Sequence, residues 1–176
     1  MIVLNKKGIF VSCEDSNLTY KYDFLLIRVG FTDFDSKKTI IKDKDFEKLY
    51  EYCICNNIFK GIYYESCATS LRELKKELDF ILDKIKDKKI EYPIVIKMMD
   101  NHNTKIYNPD SQEFISKFKF KRIIKYTYNY IKNNGYIPLI ITYKNWINNT
   151  KNNVFYTENI ENNSIFIDIH NKKGKK

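Results

Sequence analysis

Tyr92-Pro93-Ile94-Val95-Ile96-Lys97-Met98-Met99-Asp100 is the stretch on which the fold turns. Pro93 is tolerated at the start of a strand but not inside one, and the β-branched run behind it has the unbroken apolar character of a strand covered on both faces. The stretch therefore reads as a central parallel strand. In barrels built from such strands the chemistry sits where the strands end, which makes Lys97 to Asp100 the first place to look for a function.

Outward from this strand the pattern alternates. On its N-terminal side Ser70-Leu71-Arg72-Glu73 has the form of a capping box, and Leu71, Leu74, Leu78, Ile81 and Ile85 step by three and four, predicting a helix to about Lys86. Before it come strand-like runs at 8–12, 23–30 and 61–65. Between the last two, Phe46, Leu49, Tyr50, Cys53 and Ile54 mark a helix. On the C-terminal side a polar loop at 101–109 leads to a helix starting at Asp110 or Phe120 and stopped by Gly135, then a strand at 138–142. A polar loop at 148–153, a last strand at 164–170 and a basic tail at 171–176, expected to be disordered, complete the chain. This order predicts an α/β domain over residues 1–170, with helices covering a largely parallel sheet that is either open or closed into a barrel.

Composition narrows the class. The chain has 176 residues, 43% of them apolar and 15% aromatic, enough for one sizeable core and too many for a disordered segment. No apolar run approaches the roughly 20 residues of a membrane span. The N-terminus shows no secretory pattern, so cytoplasmic synthesis is expected. Of the four cysteines, Cys53 and Cys55 have no second pair and His102 and His170 lie far off in sequence, so neither metal nor cofactor is expected and the thiols should be free. Nothing brings Cys13 or Cys67 to His102 as a nucleophile and base. The formal charge of +9 favours anionic surfaces without choosing among nucleic acid, wall polymer and acidic lipid. Its densest segment, residues 117–125, interleaves bases with Phe118, Phe120, Ile123 and Ile124 at helical spacing, the pattern of a solvated helix face.

Several short segments also stand in a telling order: Gly8-Ile9-Phe10-Val11-Ser12, the run 24–30 with Arg28-x-Gly30, Lys44-Asp45-Phe46-Glu47, Gly61-Ile62-Tyr63-Tyr64 with Ala68-Thr69-Ser70, and Gly135-Tyr136-Ile137-Pro138 with Tyr143-Lys144-Asn145-Trp146. In that order and spacing, from residue 8 to about residue 150, they resemble glycoside hydrolase family 25, the lysozyme-type muramidases. The resemblance implies a modified TIM-type β/α barrel, complete or incomplete, that hydrolyses peptidoglycan. It also implies acids that this chain lacks. Phe10 stands where the family's first strand has an aspartate, and Lys97-Met98-Met99 stands where its fourth ends in Asp-x-Glu. Asp168 answers to the aspartate of the last strand if residues 164–170 are that strand; if they are the sixth, the barrel stops short.

Glycoside cleavage needs a carboxylic acid to protonate the leaving oxygen and a second anion to support an oxocarbenium-like centre. Met99 has no proton to give, a loss of roughly 10²–10⁴-fold. Lys97 reverses the local sign: at about 5 Å and an effective dielectric near 20 a unit charge is worth ~3 kcal/mol, and exchanging minus for plus doubles that. Glu65, Asp100 and Asp168 are the acids that could take over, at about 5–5.5 Å for retention or about 6.5–9.5 Å for inversion. Tyr63, Tyr64 and Tyr143 are candidates to stack on sugar rings, with Arg28 beside them. The expected function is thus a catalytically inactive lysozyme-like barrel, a structural or binding module for cell-wall glycan or a protein assembly partner. An active muramidase with relocated acids and a basic nucleic-acid binder are the alternatives.

Overall fold

In the computed structural model, which describes residues 5–13, 22–33, 37–98, 112, 115–142, 154–156 and 164–168, the elements follow as β1 (Asn5–Val11), β2 (Phe24–Thr32), β3 (Ile40–Lys42), α1 (Phe46–Cys55), β4 (Phe59–Glu65), α2 (Leu71–Ile85), β5 (Ile94–Met98), α3 (Lys117–Asn133), β6 (Pro138–Thr142), β7 (Val154–Tyr156) and β8 (Ser164–Asp168). The strands form one sheet in the order β7-β6-β5-β4-β2-β1-β8, with β3 paired to β2. Every pair from β1/β2 through β6/β7 is parallel. The strand built on Pro93 is therefore central, as its composition requires: β5 lies between β4 and β6. The architecture is an α/β half-barrel. Among the described residues its end strands β7 and β8 do not pair with each other.

Three features of the sheet depart from expectation. β3 folds back antiparallel on the end of β2, Gly30 opposite Lys42, and its three residues are too few to show a period. β7 extends the parallel series from β6 with another three-residue strand. β8 is not a sixth parallel strand. It runs antiparallel along β1 from Ser164 opposite Ile9 to Asp168 opposite Asn5, at the far edge of the sheet.

Because successive residues of a strand face opposite ways, the sheet has two cores. Leu25, Ile27, Val29, Ile62, Tyr64, Ile94, Ile96 and Ile140 face the helices, where they meet Phe46 and Leu49 of α1, Leu74, Leu78 and Ile81 of α2, and Ile123 and Ile124 of α3. Phe10, Phe24, Leu26, Tyr63, Tyr92, Val95, Leu139 and Ile141 fill the other, concave face. There Phe24 stacks on Tyr92 at 4.2 Å between ring centres. Each fully buried aliphatic or phenyl side chain is worth about 1.5–3 kcal/mol. Gly61 is required where β4 passes β5, since a Cβ there would stand 2.5 Å from the carbonyl oxygen of Pro93.

The helix signals correspond to real caps. Ser70 accepts from the Glu73 N–H, but the Glu73 carboxylate reaches past Ser70 to the Thr69 N–H at 2.8 Å. α3 stops at Gly135, whose φ of +86° suits a residue without Cβ, while the Tyr136 N–H returns to the Ile131 carbonyl. On α3, Phe120, Ile123 and Ile124 are buried whereas Lys119, Lys121, Arg122 and Lys125 are exposed, so most of the basic segment is an ordinary solvated face; Phe118 is the exception at 73% exposure.

Candidate functional site

Parallel alignment brings the C-terminal ends of β1, β2, β4 and β5 to one rim, with Glu65 opposite Lys97 and Arg28 opposite Tyr63. Lys97 is the one charged residue of β5, on the same face as Val95. Its ammonium lies 4.1 Å from the ring centre of Phe10 and 4.3 Å from that of Tyr63, while those rings meet edge to face at 5.0 Å. Glu65 Oε1 is 3.9 Å from the same nitrogen. A desolvated cation over an aromatic face gains about 2 kcal/mol, and here two rings share it. Phe10 and Lys97, which the resemblance sets where acids belong, thus form a contact with each other.

Beside this cage stands a second cation. Arg28 donates through Nε to Asp43 Oδ2 at 2.7 Å, through Nη1 to Glu65 Oε2 at 3.4 Å and through Nη2 to Cys13 Sγ at 3.4 Å. Burial works against its charge, but the hydrogen bond to Asp43 and the neighbouring acids outweigh it and raise its pKa. Asp43, whose side chain has no exposed surface, also accepts from the Asp45 and Cys13 N–H groups. It thereby orders the entry to α1 and the end of β1 together. Arg28 is 9% exposed, so it braces the rim from within and offers little surface to a ligand.

The remaining candidates separate. Tyr63 lines the concave face at 4% exposure, its ring occupied by Lys97. Tyr64 is a correction to the sugar-stacking expectation: strand alternation carries it to the helix side, where it is fully buried and its hydroxyl meets Thr32 Oγ1 at 2.7 Å. Asp168 corrects a different expectation, that of a fallback acid at this rim, since its register opposite Asn5 sets it at the N-terminal end of β1. At ~3.3 Å per residue that is on the order of 30 Å from Glu65 along the strands. Those two acids do not share a rim. Met99, Asp100, Tyr143 and His102 lie outside the described residues.

Two buried acids escaped the sequence reading. Asp43 precedes α1 with no periodic signal of its own. Glu77 did carry one, standing three residues after Leu74 and four before Ile81 on the apolar stripe of α2. It is 3% exposed and accepts from Thr32 Oγ1 at 2.7 Å, Ser66 Oγ at 2.5 Å and the Cys67 N–H at 3.3 Å. Burial pushes its pKa up to about 7, against these hydrogen bonds, which favour the ionised form. Among the described residues no group of three His, Cys, Asp or Glu side chains could hold a metal, and no helix is long and apolar enough to cross a membrane.

No protein-family model matches the sequence, and no curated protein matches it. Solved structures do. The fold is that of the family 25 lysozymes. A family 25 glycosyl hydrolase from Bacillus anthracis superposes with a TM-score of 0.62 at 12% identity, over 86% of this chain and 69% of that one. The modular autolysin LytC of Streptococcus pneumoniae, which has also been solved with a synthetic peptidoglycan ligand, gives 0.64 at 16% identity, over 80% of this chain and 33% of LytC. The spore cortex lytic enzyme SleM of Clostridium perfringens gives 0.60 at 12%, over 81% of this chain and 45% of SleM. The chain thus spans a third to under half the length of the autolysin and the cortex enzyme. Within this lysozyme fold the rim described here presents two cations, two aromatic rings and a half-exposed carboxylate. Of that set only Glu65, 39% exposed, is open to a ligand, and its carboxyl oxygens face Arg28 and Lys97.

Proposed function

We propose that the chain is a non-catalytic lysozyme-like barrel that binds cell-wall glycan, acting as a recognition or structural module in an envelope or phage-particle assembly. The observation that carries this reading is the Lys97 ammonium held between Phe10 and Tyr63 and against Glu65. A cation so placed opposes the positive charge that develops at a sugar ring during hydrolysis. The shared fold with a structure that holds a peptidoglycan ligand supports glycan as the partner. At the rim, Glu65, 39% exposed, supplies an acceptor for sugar hydroxyls.

Incubation with purified peptidoglycan sacculi tests the proposal. Co-sedimentation with the sacculi and no release of reducing ends are the expected results. Reducing ends that appear with the native chain and vanish in Glu65→Gln would establish an active muramidase with a relocated acid. Neither sedimentation nor release would leave a protein partner as the reading.

A further inference from the structure

The outward face of α3 carries charge of one sign. The helix contains Lys117, Lys119, Lys121, Arg122, Lys125 and Lys132 and no acid, whereas α2 carries acids and bases in equal number. Pairing follows composition. Lys75 and Lys84 each reach an acid of their own helix, Asp79 and Asp83, while Lys121, Arg122 and Lys125 are exposed and have no ion-pair partner among the described residues. Phe118, Arg122, Lys125, Asn129 and Lys132 recur at steps of four and three, which sets them along one line of the helix with Lys121 beside it. Phe120, Ile123, Ile124 and Ile131 are buried on the opposite side, so this line faces away from the sheet. At ~1.5 Å per residue it is about 20 Å long. Phe118, 73% exposed, stands at its N-terminal end. Lys117 and Lys119 lie in the first turn, where the helix dipole is already positive, an arrangement that costs stability until an anion approaches.

We propose that this face of α3 docks on an anionic lipid surface, its cations against the headgroups and the Phe118 ring entering the interface. Charge complementarity supplies the attraction: each cation close to such a leaflet raises partitioning roughly fivefold. Two observations favour lipid over other anions. The line lies on the convex outside of the fold, a shape that meets a flat sheet of charge along its whole length. Phe118 holds an aromatic ring in water in line with the cations, and a ring joined to a basic helix face is the arrangement of helices that lie on bilayers. A single-stranded nucleic acid is held by stacking successive bases on several rings, and this line has one. The inference does not use the glycan reading, because α3 packs on the helix side of the sheet while Phe10 and Tyr63 line the concave side.

Sedimentation of the full chain with lipid vesicles tests it. The chain should pellet with vesicles of equal parts phosphatidylglycerol and phosphatidylcholine, stay in solution with phosphatidylcholine alone, and be released by added salt. Lys121→Ala with Lys125→Ala should lower partitioning by roughly tenfold or more with an unchanged circular dichroism spectrum. Lys48→Ala with Lys76→Ala, an equal loss of exposed charge on α1 and α2, should change it little. Phe118→Ser should weaken binding at every salt concentration, because salt does not screen the transfer of an apolar ring. The proposal falls if anionic vesicles are not bound, if neutral vesicles are bound equally well, or if the α1 and α2 substitutions matter as much as those on α3. It falls too if Phe118→Ser binds like the native chain, or if a short oligothymidylate strips the chain from the vesicles.

Discussion

At the scale of single residues, Arg28 and Lys97 differ in what they hold. Arg28 neutralises Asp43, whose side chain is wholly buried, whereas both cations touch Glu65, which is 39% exposed. Removing one partner of a buried pair strands a charge at about 3–5 kcal/mol, while partly exposed pairs are worth about 0–1 kcal/mol. Arg28→Met should therefore lose roughly 3–5 kcal/mol in urea denaturation and Glu65→Gln no more than about 1 kcal/mol; similar losses in both would refute the distinction. Lys97→Asp restores the residue type that the lysozyme resemblance calls for, yet should not restore cleavage. It sets a second carboxylate against Glu65 beside the ring of Phe10, at a cost of about 1–2 kcal/mol after solvent screening, and still supplies no proton donor. Urea denaturation of this variant should show that loss, and sacculi incubated with it should release no reducing ends.

At the scale of elements, local chemistry wrote some boundaries plainly into the sequence and left others silent. Ser70 before the Leu74, Leu78, Ile81 and Ile85 stripe marks both the start and the buried face of α2, because capping and amphipathicity are properties of neighbouring residues. Ser70→Ala should accordingly cost about 1 kcal/mol, seen as a lower urea midpoint with an unchanged slope. β3 and β7 were illegible for the opposite reason: strands of three residues have no period to detect, and what makes them strands is a partner, β2 or β6, far off in sequence. The same limit governs the site. That Lys97 ends a buried strand can be read from Pro93 and the run after it. That its ammonium finds Phe10 and Tyr63 depends on β1, β4 and β5 coming together across more than eighty residues. Tyr63 and Tyr64 are indistinguishable as a dipeptide, and only the pleat of β4 decides that one lines the concave face and the other backs a helix.

At the scale of the whole molecule, Glu77 makes stability depend on pH in a range where the other perturbed carboxylates do not. Glu47, Glu73, Asp79 and Asp83 are all held below their usual range. For Glu47 and Glu73 desolvation opposes the shift, and lysine or backbone partners overcome it; for Asp79 and Asp83 a lysine hydrogen bond leads. Their stabilisation is present above about pH 4.5 and is lost in acid. Glu77 behaves inversely, because burial raises its folded pKa from 4.5 to about 7. Between those values the folded chain keeps a proton that the unfolded chain has released, so stability is greatest below pH 4.5 with respect to this group, declines as pH rises, and levels off above about 7. A shift of this size corresponds to at most on the order of 3 kcal/mol. The proton also has a place to go: neutral Glu77 can donate from Oε2 to Ser66 Oγ while Oε1 still accepts from Thr32 and the Cys67 N–H. Urea denaturation at half-unit steps from pH 5 to pH 8 should show a falling free energy of unfolding for the native chain. In Glu77→Gln, which keeps the shape and cannot ionise, the curve should be nearly flat over the same interval; an equal slope in both proteins would show that the proton is held elsewhere.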